Sequence, residues 1–78
     1  MMEIGMLWFD NDKNKPLTEK ISQAAEYYTK KYGKKPDTCL VNSLELGRSG
    51  QSSGNVAGIQ LAAMDSVQPH HLWIGRDK

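Results

Sequence analysis

The side chains in this sequence that could do chemistry fall in a few places. His70 and His71 are the only histidines and Cys39 is the only cysteine. With Asp65 they supply ligand types that zinc accepts. A zinc centre needs at least three converging protein ligands, and no Cys-x-x-Cys or His-x-x-x-His spacing supplies two of them locally. Adjacent histidines on an extended segment point to opposite sides. The expectation is therefore a polar turn with one imidazole bonded to backbone, no metal site and no cofactor. Cys39 precedes Leu40-Val41 in an apolar run, where a thiol is a small buried hydrophobe with a raised pKa. As a nucleophile it would need a base, and a histidine could serve only if the last strand lay beside the Cys39 strand.

Three other segments invite a ligand. Asp10-Asn11-Asp12-Lys13-Asn14 puts oxygen side chains at the first, third and fifth positions of a calcium loop, but Lys15 stands where the turn needs Gly and Ile21 where the loop needs Glu. An Asx-rich turn at a helix start is the simpler reading. Gly47, Gly50 and Gly54 match neither dinucleotide nor nucleotide phosphate-loop spacing, and a strand rather than a helix follows them. Lys30, Lys31, Lys34 and Lys35, close to Tyr27, form the one constellation suited to a polyanion, through phosphate contacts and stacking.

These groups must be positioned by a small set of elements. Met6-Leu7-Trp8-Phe9, closed by Asp10-Asn11-Asp12, reads as a first strand. Pro16 suits the first position of a helix, with Asn14 or Lys15 as its cap. From there Leu17, Ile21, Ala24, Ala25, Tyr28 and Tyr32 keep one face of a 3.6-residue period. Glu26 and Lys30 pair on the other face, Gly33 supplies the left-handed stop and Pro36 prevents continuation. The helix is predicted over 17–32. Thr38-Cys39-Leu40-Val41-Asn42 reads as a second strand, parallel to the first through a βαβ crossover. Ser43 caps a single turn at 44–46, a flexible glycine- and serine-rich loop spans 47–55, a third strand covers 56–62, and Leu72-Trp73-Ile74-Gly75 makes a fourth. The predicted fold is one α+β domain over residues 1–78, a main helix on a three- or four-stranded mixed sheet in the order β-α-β-β-β.

With 78 residues there is room for one core. Ten basic against nine acidic residues leave a net charge of +1, which removes the general electrostatic case for a nucleic-acid or membrane-surface binder. One cysteine excludes an intrachain disulfide, and no signal-like start or membrane-length apolar run is present, so a cytoplasmic protein is expected. Phe9-Asp10-Asn11-Asp12, Tyr27-Tyr28-x-x-Lys31-Tyr32-Gly33-x-x-Pro36-x-x-Cys39-x-Val41-Asn42 and His71-x-Trp73-Ile74-Gly75 resemble short bacterial proteins that carry no assigned activity. That resemblance implies no site residue. The second half also resembles, in strand order, a segment of tailed-phage capsid proteins, with Ser43 where those tend to have Pro; no residue role follows from it.

No catalytic motif is present, and the functional expectation is a protein-interaction module or accessory subunit rather than an enzyme. Trp8, Phe9 and Trp73 are its candidate contact residues, because three of six aromatic side chains sit in two short strands and one helix covers one face of a sheet. Its partner is another protein or a second copy. The alternative is nucleic-acid binding through Tyr27 and the lysine-rich helix end.

Overall fold

The computed structural model describes residues 4–48 and 54–76. Seven elements run in the order β1 (Ile4–Phe9), α1 (Leu17–Tyr32), β2 (Thr38–Val41), α2 (Ser43–Arg48), β3 (Gly54–Val56), β4 (Ile59–Ala63) and β5 (His71–Arg76). The five strands form one mixed sheet in the order β1-β5-β2-β4-β3. The α+β class and the main helix agree with the sequence reading. The strand count and element order do not, since there are five strands and a second helix.

α1 has the predicted bounds, and its stripe of Leu17, Ile21, Ala24 and Tyr28 is buried against the sheet. Gly33 ends it with φ 74°, donating its N–H to the Thr29 carbonyl at 2.8 Å. The start differs from the prediction. Pro16 itself is the cap, in extended backbone with no side-chain bond to the first turn, so neither Asn14 nor Lys15 performs that role. Ser43 is likewise the first residue of α2 rather than its cap. Asn42 caps that helix, its Oδ1 accepting the Leu44 N–H at 2.9 Å.

The sheet core follows from alternation. Cys39 and Val41 of β2, Ile59 and Leu61 of β4, and Leu72 and Ile74 of β5 point to α1 and are buried. Met6 and Trp8 of β1 pack against the same cluster. β1 and β2 run in the same direction, as the crossover predicts, but they are not neighbours. β5 lies between them, antiparallel to both, pairing Leu7 with Trp73 and Leu40 with Trp73. β2 instead has β4 as its parallel neighbour, Cys39 opposite Leu61. The carboxyl ends of β1, β2 and β4 therefore lie at one end of the sheet, together with the start of β5.

The single strand predicted over 56–62 is a hairpin. Val56 pairs with Ile59, leaving Ala57 and Gly58 as a two-residue turn with φ of 52° and 83°. Positive φ at both positions is the turn geometry that matches strand twist, and it favours Asn or Gly. Gly58 meets that demand and Ala57 does not. Asn55 Oδ1 supports the turn by accepting the Gly58 N–H at 2.9 Å. Of the loop predicted at 47–55, Gly47 and Arg48 belong instead to α2 and Gly54 and Asn55 to β3, while residues 49–53 lie outside the described residues.

Ala57→Asn removes the cost of a left-handed alanine while keeping the hairpin, and should stabilise the domain by about 0.5–1 kcal/mol. Urea unfolding of the two proteins at one pH measures the difference; an unchanged or lower midpoint would contradict it.

Candidate interaction surface

One helix layer covers one face of the sheet, and among the described residues no helix covers the other, open face. Alternation assigns to it Gly5, Leu7 and Phe9 of β1, His71, Trp73 and Gly75 of β5, Thr38 and Leu40 of β2, and Gln60 and Ala62 of β4. None carries a formal charge with His71 neutral, in a chain where 24% of residues are charged. Leu7 is 56% exposed and Phe9 59%. Near the β4–β5 connection the face deepens into a groove of about 520 Å³ lined by Leu7, Leu40, Met64, Val67, His71 and Trp73, with Ser66 and Gln68. Among the described residues no charged one lines it.

Trp73 lies against Gly5. A methyl group on Gly5 would stand 2.8 Å from the indole Nε1 and Cε2, closer than carbon atoms normally approach. The glycine thus provides the space in which the ring packs on the neighbouring strand. Phe9 and His71 meet at the rim with ring centroids 5.0 Å apart, and the His71 Nδ1 is 2.9 Å from the Pro69 carbonyl.

Of the three predicted contact residues, Phe9 and Trp73 share this open face and Trp8 does not. Trp8 points to the helix layer, where it contacts the Tyr27 ring at 5.3 Å. Its Nε1 is buried without a hydrogen-bond partner among the described residues. Sequence reasoning passed over Leu7, Leu40 and Met64, although Leu7 alternates with Met6 and Trp8 and so had to face away from them.

The two histidines separate as their adjacency requires. His71 joins the open face, whereas His70 sits at the polar end of the sheet with φ 68°. Glu45 of α2 holds it there, accepting the His70 N–H at 2.7 Å and facing its ring Nδ1 at 3.6 Å. Cys39 is fully buried on the helix side of β2, and burial pushes its thiol up to about 12. It is opposite in facing to His71 although β2 and β5 are neighbours, so the structure assembles no thiol and imidazole pair. Among the described residues no three His, Cys, Asp or Glu side chains gather into a metal-binding group. Asp65 is bonded to the Ser43 hydroxyl instead.

The Asp10–Asn14 segment forms two successive Asx turns. Asp10 Oδ1 accepts the Asp12 N–H at 3.0 Å, and Asp12 Oδ1 accepts the Asn14 N–H at 2.9 Å. Asp10 Oδ2 also takes the Lys15 ammonium at 2.9 Å, which Gln23 shares at 2.7 Å.

The lysine constellation is brought together in part. Lys30 reaches Glu26 at 3.7 Å, and Lys31 lies 5.5 Å from the Tyr32 ring centre. Lys30 and Lys35 line a groove with Arg76, whose Nη1 donates to the Lys35 carbonyl at 2.6 Å. Tyr27, paired with Trp8, shares a second groove with Lys30, Gln23 and Glu26, and Lys31 and Lys34 border neither groove. Among the described residues no helix is long and apolar enough to cross a membrane.

Gly5→Ala forces the Trp73 ring to move, so the variant should fold while its tryptophan emission shifts and the ring becomes easier to quench. Trp8→Phe as background isolates the Trp73 signal, and an unchanged spectrum would show that the ring does not depend on Gly5.

At Asp10, burial raises the carboxyl pKa, but the Lys15 ammonium and the Asp12 N–H outweigh it and hold the group below its ordinary 3.8. Its stabilising contribution is therefore complete above about pH 4 and disappears as pH falls through the lower folded value. The bond to Asp10 raises Lys15 above 10.5, so that partner stays charged at neutral pH. Asp10→Asn should lower the urea midpoint at pH 7, with a gap from the parent protein that narrows below about pH 4. A gap independent of pH would assign the effect to something other than this charge.

Comparison with protein-family models, with curated proteins and with solved structures gives no match to this chain.

Proposed function

We propose that this domain is a protein-interaction module that works through its open sheet face, with a second copy of the chain as the occupant. The observation that carries the reading is the combination of large exposed apolar side chains with the lack of any charged residue among the described residues of that face. Apolar sheet surfaces of this kind are paired or hidden in natural proteins.

Three considerations favour a second copy. In a two-fold contact the same patch meets itself, so a surface with a charge would confront that charge with its like. The described residues of this face avoid the conflict because none of them is charged. A strongly charged partner, by contrast, would find no complementary group on it. The area is also sufficient. The molecule measures 31 × 24 × 20 Å, the shortest dimension matching a helix layer on a sheet. The face then offers at most about 700 Å² per copy and about 1,400 Å² for a pair, within the range of specific interfaces. Phe9 and Trp73 are residue types that anchor such contacts, and Trp73 is already held in place by its bed on Gly5.

Sedimentation equilibrium at about 100 µM, far above the dissociation constant of a stable homodimer, should give a dimer mass. Leu7→Lys with Phe9→Lys should return a folded monomer, since both side chains are more than half exposed already. A monomeric parent protein at that concentration would overturn the reading, as would a dimer that both substitutions leave intact.

A further inference from the structure

At the polar end of the sheet, away from the face just described, the first turn of α1 opens on a cavity of about 330 Å³. Pro16, Leu17 and Lys20 of the helix start line it, with Asn11, Asp12, Lys13 and Lys15 of the preceding loop and with Glu45 and His70 opposite. Two independent features of this cavity point to the same kind of ligand. First, α1 is a 16-residue helix with no side-chain cap, so the N–H groups of Leu17 and Thr18 have no intrahelical acceptor and the positive end of the helix dipole is uncovered. Second, Lys20 is only 8% exposed, yet its ammonium makes no hydrogen bond or ion pair among the described residues.

The position of that ammonium follows from the packing. Helical side chains lean toward the N-terminus, and Lys20 lines the cavity together with Pro16 and Leu17. Among the described residues, the buried polar side-chain atom sealed from solvent without a partner is Trp8 Nε1, not the Lys20 nitrogen. The ammonium therefore reaches accessible space, and the space beside it is this cavity. Of the other charged groups on the wall, Asp12, Lys15 and Glu45 are engaged and Lys13 has no partner among the described residues. Asp10 and Gln23 hold Lys15, the Asn14 N–H bonds Asp12, and Glu45 is occupied by His70. Asp10 attracts Lys20 only through space.

We infer that this cavity binds a phosphoryl group, with the Leu17 and Thr18 N–H groups and the Lys20 ammonium as its donors. A tetrahedral oxyanion offers an oxygen to each of the three, and a helix N-terminus is suited to receive it. The volume lies at the small end of ligand pockets, so the group is free phosphate or the head of a small phosphomonoester.

Titration of the full chain, followed by amide resonances in phosphate-free buffer at constant ionic strength, decides the matter. Inorganic phosphate and glycerol 3-phosphate are the two probes and sodium chloride is the control. The expected result is saturable shifts at Leu17, Thr18 and Lys20 with phosphate, absent with chloride; tighter binding of glycerol 3-phosphate would identify an ester site, and equal or weaker binding a site for the free ion. Lys20→Met keeps the aliphatic packing and should weaken binding at least tenfold, while Lys34→Met should leave it unchanged. Shifts that stay linear to 50 mM, or match those of chloride, overturn the inference without reference to any variant, as does full affinity in a folded Lys20→Met protein. None of these outcomes depends on whether the chain dimerises.

Discussion

A single helix can shield only one side of a five-stranded sheet, and most of this structure follows from that shortage. On the shielded side the alternating residues of β2, β4 and β5 converge with the α1 stripe on Tyr28 and Ile21, which are fully buried. The same alternation sends Leu7, Phe9, Leu40 and Trp73 to a side that no helix among the described residues covers and that only the β4–β5 connection borders. A domain this small has few ways to stabilise itself beyond its core. An apolar surface left over after folding is then a liability in isolation and an asset in an assembly, because burying it adds the stabilisation that the core alone lacks.

Polar and apolar surfaces are segregated by direction as well as by face. The strands deliver their apolar side chains broadside, whereas Asp10, Asn42, Glu45, Asp65 and His70 collect where β1, β2 and β4 end. The left-handed His70 shows how firmly that end is tied. A non-glycine residue at φ 68° costs free energy, and here the Glu45 carboxylate grips its N–H while its carbonyl accepts the Asp10 N–H at 2.9 Å. Those bonds join three connections that are distant in sequence, so α2 and the loop before α1 are positioned against each other through one strained residue.

What could be read in the sequence was whatever depends on neighbours along the chain. The bounds of α1 were legible because Pro16, the six-residue stripe and Gly33 all act within a turn or two. The facing of Trp8 against Phe9 was legible in principle, since adjacent strand residues point apart, but grouping three aromatic residues by type concealed it. The hairpin at Ala57-Gly58 was missed because Ala57 departs from the residues its turn prefers, leaving Gly58 as a lone signal. Strand order was beyond reach for a different reason. Nothing local distinguishes a β5 beside β2 alone from a β5 lodged between β1 and β2. The Lys20 cavity was hidden similarly, as Lys20 reads like any other lysine on the solvent side of a helix until the fold sets Glu45 of α2 and His70 across a cavity from it.

The central place of β5 also bears on how the chain acquires its structure. β1 is made first and β5 last among these elements, yet the partner that β1 pairs with residue by residue, from Ile4 opposite Arg76 to Phe9 opposite His71, is β5. During synthesis β1 therefore emerges without a strand to bond, and α1 can rest only on an incomplete sheet until β5 inserts. Pairings between such remote segments close large loops before contacts repay the entropy, which slows folding. The nascent chain carries its exposed Leu7, Trp8 and Phe9 throughout that interval. The residues most exposed to misassembly on the ribosome are thus the same ones that, once β5 is in place, are divided between the core and the open face.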